Sequence, residues 1–133
     1  MTAEPVAATR HAATYLGRAD QLHHVRSAIA SHLAGCVAVA DAVLIASELA
    51  ANAILHSRSR ARHFTVRAEL HSDHVRIEAE DLGGPWRRGQ SDGRPHGLDM
   101  VEALTGPDGW GTETTIGGGR IVWARLDLDA VGE

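Results

Sequence analysis

Two stretches of strict alternation, separated by three polar residues, constrain this chain most. Residues 64–70 (FTVRAEL) and 74–81 (HVRIEAED) carry an apolar side chain at almost every second position, and His71, Ser72 and Asp73 between them read as a turn. A period of two is that of a half-buried strand, so the pair predicts a hairpin with one wet face and one face that needs cover. A second hairpin is predicted over residues 110–115 and 120–128, joined by Ile116, Gly117, Gly118 and Gly119. Residues 7–16 read as one further strand, with Tyr15 near its end.

The cover lies in the segment between the first strand and the first hairpin. From Asp20, read as an N-cap, Leu22, Val25, Ile29 and Leu33 recur at helical spacing, with Ala28 and His32 on the same side and Gly35 as the stop. Residues 39–56, rich in alanine and leucine and free of internal glycine or proline, predict a second helix. A loop rich in glycine and arginine, 82–95, leads into a short third helix over 97–104. Strands grouped in hairpins rather than alternating with helices predict an α+β two-layer sandwich. Its sheet is expected to be mixed and mostly antiparallel, with the helices on one face. At 133 residues the chain is expected to form one domain, 1–133, around one core.

Composition narrows the chemistry. All 13 basic residues are arginines and there is no lysine, which excludes a P-loop, a Schiff-base lysine and the phosphate-pairing lysine of protein kinases. A net charge of −4 argues against a nucleic-acid binder. No apolar run approaches the roughly 18 residues that would span a bilayer, and the N-terminus lacks the order of a signal peptide, so no membrane role and a cytoplasmic location are expected. The lone cysteine, Cys36, reads as a small core residue. Nine histidines include the pairs His71/His74 and His23/His24, but neither has a zinc-site spacing with cysteine, and structural zinc is not expected. Trp86, Trp110 and Trp123 read as packing or partner-surface residues.

Two places break the pattern. On a helical wheel with Glu48 at zero, Leu55 and Leu44 fall about 20° and 40° to one side, and Asn52, Ile45 and Leu49 about 40°, 60° and 100° to the other. Glu48 and Asn52 therefore sit within the apolar stripe, with His56 at about 80°. A carboxylate there must be paired, protonated or turned toward a polar pocket. It is either one half of a salt bridge to an arginine across the layer, or part of a site. The second break is the loop: Asp81, Leu82, Gly83 and Gly84 come directly off a strand, and Gly89, Gly93 and Gly97 follow among Arg87, Arg88, Arg94 and His96. Glycines let backbone N–H groups approach a ligand, and the start of the third helix offers unpaired N–H groups to an anion.

A helix bearing Glu48, Asn52 and His56, a carboxylate with glycines at a strand end, and His96-Gly97-Leu98 opening a helix together resemble the Bergerat-fold ATP-binding superfamily. Within it, the chain is similar to the small stand-alone bacterial anti-sigma-factor serine kinases, from about Gly17 to Leu128, and Trp110-Gly111-Thr112 is also similar to that family. The resemblance implies ATP or ADP with Mg²⁺ as cofactors. Asn52 would ligate the Mg²⁺ that bridges the phosphates. Glu48 would be the general base toward a protein serine hydroxyl, or would position a water. Asp81 would accept from the adenine amino group, Gly83 would leave space beneath the base, and Thr112 or Thr114 would help through water. His56 and Gly84 complete the two boxes. Gly97 and Leu98 would present N–H groups to the phosphates, and residues 84–95 would form the lid, with Arg94 and His96 making charge contacts.

The implied function is phosphorylation of a serine or threonine on an antagonist protein and sequestration of a partner such as a sigma factor, with homodimerisation through the first helix and strand common in the family. The chain departs from the family where Pro85 or its neighbour, and Pro95, stand in place of the usual glycines; a proline removes an N–H donor. They favour an alternative: a regulatory module that binds partners, with or without nucleotide, and has lost catalysis. The catalytic half of a sensor histidine kinase fits less well, since the chain has no separate dimerisation helix bearing a phospho-accepting histidine.

Overall fold

The computed structural model describes residues 9–57, 59, 61–84 and 98–128. Strand β1 (Thr9–Leu16) is followed by a 3₁₀ turn (Ala19–Gln21), helix α1 (Leu22–His32) and helix α2 (Val39–Leu55). The hairpin β2 (His63–Leu70) and β3 (His74–Asp81) comes next, then α3 (Leu98–Thr105), β4 (Trp110–Thr114) and β5 (Arg120–Asp127). The alternating stretch 74–81 is β3 to the residue. The first strand starts at Thr9 among the described residues.

The five strands form one sheet in the order β1-β2-β3-β5-β4. Every pairing among the described residues is antiparallel, so the mixed component of the expected sheet is absent from them. The architecture is otherwise the expected α+β sandwich. Val66, Ala68, Val75, Ile77, Val122 and Ala124 lie on one face of the sheet and are buried with α1, α2 and α3 in a common core. The opposite face carries ion pairs in place of apolar cover. Arg67 bridges Glu78 and Glu80 across β2 and β3 at 3.1 and 2.6 Å, and the Arg76 guanidinium lies 4.9 Å from the Trp123 ring. This is the usual division of an antiparallel sheet with one solvated face.

Two local expectations are corrected. Asp20 does not cap α1: it lies inside the 3₁₀ turn and pairs with Arg18 at 2.6 Å, while the N-cap position of α1 is Gln21, which makes no side-chain cap bond. The α2 stripe is rotated from the expected one. Leu44 and Leu55 are 41% and 60% exposed, and the buried face is Ala42, Ile45, Ala46, Leu49, Ala50 and Ala53, with Asn52 at its margin. Four alanines, with Ile45, Leu49 and Ile54, make up the face packed on the core, and Leu44 and Leu55 are left outside. Cys36 is half-buried against the core. Trp110 packs on the same core, while Trp123 lies against Gly111, where a β-carbon would come within 2.9 Å of its ring. Among the described residues no helix is long and apolar enough to cross a membrane.

Candidate functional site

The C-terminal end of α2 and the C-terminal end of β3 meet, and a chain of polar contacts holds them together. Ser57 Oγ donates to the Ala53 carbonyl at 2.6 Å and accepts from the Ser59 backbone N–H at 2.9 Å. Ser59, wholly buried, takes the Leu82 backbone N–H on its Oγ at 2.8 Å. The segment that leaves α2 is thus bonded to the turn that leaves β3. Gly17 backs this connection, because a β-carbon there would overlap the Ser59 carbonyl.

Asp81 ends β3 on the core side of the sheet and is 5% exposed. Its Oδ1 accepts the Gly83 N–H at 2.6 Å, and its Oδ2 lies 3.6 Å from Arg120 Nε on the neighbouring strand. Burial pushes the Asp81 carboxyl above the usual range, against the opposing pull of the Gly83 amide and the Arg120 charge. Arg120 also donates from Nη2 to the His56 carbonyl at 3.0 Å, where His56 is the C-cap of α2. A cation there satisfies an otherwise open helix carbonyl and complements the negative end of the helix dipole.

Asn52, one turn before the cap, is buried at 5% exposure, and its Nδ2 has no hydrogen-bond partner among the described residues. An unsatisfied buried amide costs stability unless something outside the chain completes it. Glu48, a further turn back, is half-buried beside the exposed Leu44 and Leu55. Among the described residues no ion pair holds it, so the salt bridge across the layer is not found there.

Gly83 has φ +78° and Gly84 φ +113°, conformations suited to glycine. The β-carbon position of Gly83 is filled by the Gly118 carbonyl of the β4–β5 turn. Glycine is required there by the protein's own backbone. Leu98, the first residue of α3, buries its side chain in the core. Thr112 and Thr114 are exposed on the edge strand β4; the register pairs Asp81 with Arg120 and Arg120 with Thr114, so Arg120 separates Asp81 from Thr114. Arg94, His96 and Gly97, with Pro85, Trp86 and Pro95, lie outside the described residues.

Arg120 and Ser59 are the site residues that sequence reasoning missed. Neither predicted hairpin signals Arg120, because it meets Asp81 through the non-local pairing of β3 with β5.

A neutral amide and a nearby carboxylate suit an ion delivered on a polyphosphate. Mg²⁺ takes one or two protein oxygens and completes its shell from phosphates and water. Among the described residues no group of three His, Cys, Asp or Glu side chains could hold a metal unaided.

No protein-family model matches the chain, and no curated protein matches it. A solved structure does. The chain is similar to the crystal structure of the RsbU and RsbW domains of Rv1364c from Mycobacterium tuberculosis, with a TM-score of 0.67 and 22% sequence identity over 89% of this chain. The fold is shared. It is a two-layer α+β sandwich, and the chain spans 32% of the length of that structure's chain.

Proposed function

We propose that this chain is an ATP-binding regulatory protein of the anti-sigma-factor type, which phosphorylates a serine or threonine of an antagonist protein and sequesters a partner such as a sigma factor. The observation that carries the reading is the buried Asn52 amide with an unpartnered nitrogen, one turn from the cap that Arg120 links to the buried Asp81. A core that needed only apolar packing would have no use for either group.

In this reading Asp81 accepts a hydrogen bond from the exocyclic amine of adenine, its orientation set by the Gly83 amide. Asn52 would hold Mg²⁺ carried by the phosphates through its amide oxygen, and that ion would neutralise phosphate charge when bound. Glu48, on the open side of α2, takes the proton from the attacking hydroxyl. The backbone N–H groups of Gly97 and Leu98 meet the phosphates at the start of α3. Arg94 and His96 add charge from the loop, and His56 and Gly84 frame the site. The likeness to a structure containing an RsbW domain supports the protein partners proposed, as does the family resemblance of the Glu48, Asp81 and Gly97 motifs. Homodimerisation through α1 and β1, and a cytoplasmic location, belong to the same proposal.

The test is calorimetric titration of the chain with ATP and Mg²⁺, followed by transfer of labelled phosphate to candidate antagonist proteins. Binding is expected, as is transfer that Glu48→Gln abolishes. Binding without transfer to any antagonist would reduce the chain to a nucleotide-responsive partner-binding module. No binding at millimolar nucleotide would overturn the reading.

A further inference from the structure

Asp81 and Arg120 face each other across β3 and β5, both largely withdrawn from water, and the sequence motifs assign Arg120 nothing. We propose that Arg120 sets the base specificity of this site: by standing beside Asp81 it keeps that carboxylate an acceptor only, so the site takes a 6-aminopurine nucleotide and refuses a 6-ketopurine. The inference rests on the nucleotide-binding reading above and adds the residue that enforces its choice of base.

The chemistry follows from what a carboxyl can do in each state. Ionised, it offers only lone pairs; protonated, it also donates. Asp81 Oδ1 is committed to the Gly83 amide, and Oδ2, 3.6 Å from Arg120 Nε, is the oxygen with a lone pair to spare for a base. An ionised Oδ2 accepts from an exocyclic amine and repels a keto oxygen. A protonated one donates to the keto oxygen and removes the discrimination. Which state prevails is decided by the surroundings. Burial and the Glu80 charge on the same strand favour the protonated form, while the Gly83 amide and Arg120 favour the ionised form. From α2, packed over β3, His56 reaches this end through the carbonyl that Arg120 holds, and Glu48 lies two turns further back. Arg120 is therefore the cation that opposes burial, and a guanidinium does not lose its proton in a protein. Its second bond, to the His56 carbonyl, fixes it in place beside Asp81.

The experiment compares ATP with inosine triphosphate, each with Mg²⁺, on wild type, Arg120→Gln and Arg120→Lys. Glutamine keeps a donor for the His56 carbonyl without the charge, and lysine keeps the charge. Wild type is expected to favour ATP by about tenfold or more, the scale of one charge-assisted hydrogen bond. Arg120→Gln should lose part of that ratio, more of it at lower pH, and regain it as the pH rises and Asp81 ionises, while Arg120→Lys should keep it. An unchanged ratio in Arg120→Gln, with ATP still bound by wild type, overturns this inference alone. Wild type that binds neither nucleotide overturns the nucleotide reading and the inference with it. A measurement that needs no variant is the carbon-13 shift of the Asp81 carboxyl in the unliganded wild type from about pH 4 to pH 8. An ionised carboxylate near pH 7 supports the inference, and a protonated one overturns it.

Discussion

Gly83 and Gly118 meet backbone against backbone: the space that a side chain on Gly83 would need is held by the carbonyl of Gly118. The turn after β3 is thereby seated on the turn between β4 and β5, and Asp81 is fixed between them. Gly83→Ala must move this contact and also bear a left-handed conformation at φ +78°. Gly118→Ala bears a similar φ, +89°, but its β-carbon would meet open space. The conformation alone costs about 1–2 kcal/mol, so Gly118→Ala should lose about that much in urea unfolding, and Gly83→Ala distinctly more. Equal losses would mean that the Gly83–Gly118 contact adds nothing.

Ser59 joins the exit of α2 to the exit of β3 through one buried hydroxyl. Ser59→Ala leaves the Leu82 N–H without its partner in a part-buried turn. The expected loss is about 1–3 kcal/mol, the range for an unsatisfied buried donor. Amide exchange at Leu82 and Gly83 should accelerate more than exchange in the centre of β3. A loss below about 0.5 kcal/mol with exchange unchanged would show that the serine is not what holds the turn.

The hairpin of β2 and β3 was legible because its cause is local: the alternation is the buried face, and the burial follows it residue by residue. Helix α2 was legible in extent but not in rotation. Leu44 and Leu55 weigh heavily on a wheel, yet the helix turns inward a face of alanines with Ile45, Leu49 and Ile54. Asp81 could be found because a carboxylate followed by glycines interrupts an apolar pattern. Its partner Arg120 lies 39 positions away and is brought beside it only by the pairing of β3 with β5. Ser59 was hidden in SRSRARH, a run that reads as solvated chain but holds a wholly buried hydroxyl. Local periodicity is written in neighbouring residues, whereas a site is assembled by register.

Asn52 provides a separation of stability from function. Its buried Nδ2 finds no partner among the described residues, so replacing the amide with an apolar group of similar shape removes an unsatisfied donor rather than a bond. Asn52→Leu is expected to be as stable as wild type or more so, within about 1 kcal/mol of neutral or better, and to lose ATP binding in calorimetry. A variant destabilised by more than about 2 kcal/mol would identify Asn52 as a structural residue instead.

Asp81 predicts a pH dependence with a definite sign. Burial raises its carboxyl above the ordinary value, so between that value and the raised one the folded chain holds more proton than the unfolded chain. Stability then falls as pH rises through this window, and the contribution is flat below and above it. Asparagine carries no such charge, so the stability of Asp81→Asn relative to wild type should increase from about pH 4, near the ordinary aspartate value, toward neutrality. Urea unfolding of both proteins across that range measures the difference directly. A difference that moves the other way, with wild type gaining on the variant toward neutrality, would mean that Arg120 and the Gly83 amide outweigh burial. In either case the variant should bind ATP more weakly, because an amide at this position no longer offers the base a purely accepting edge.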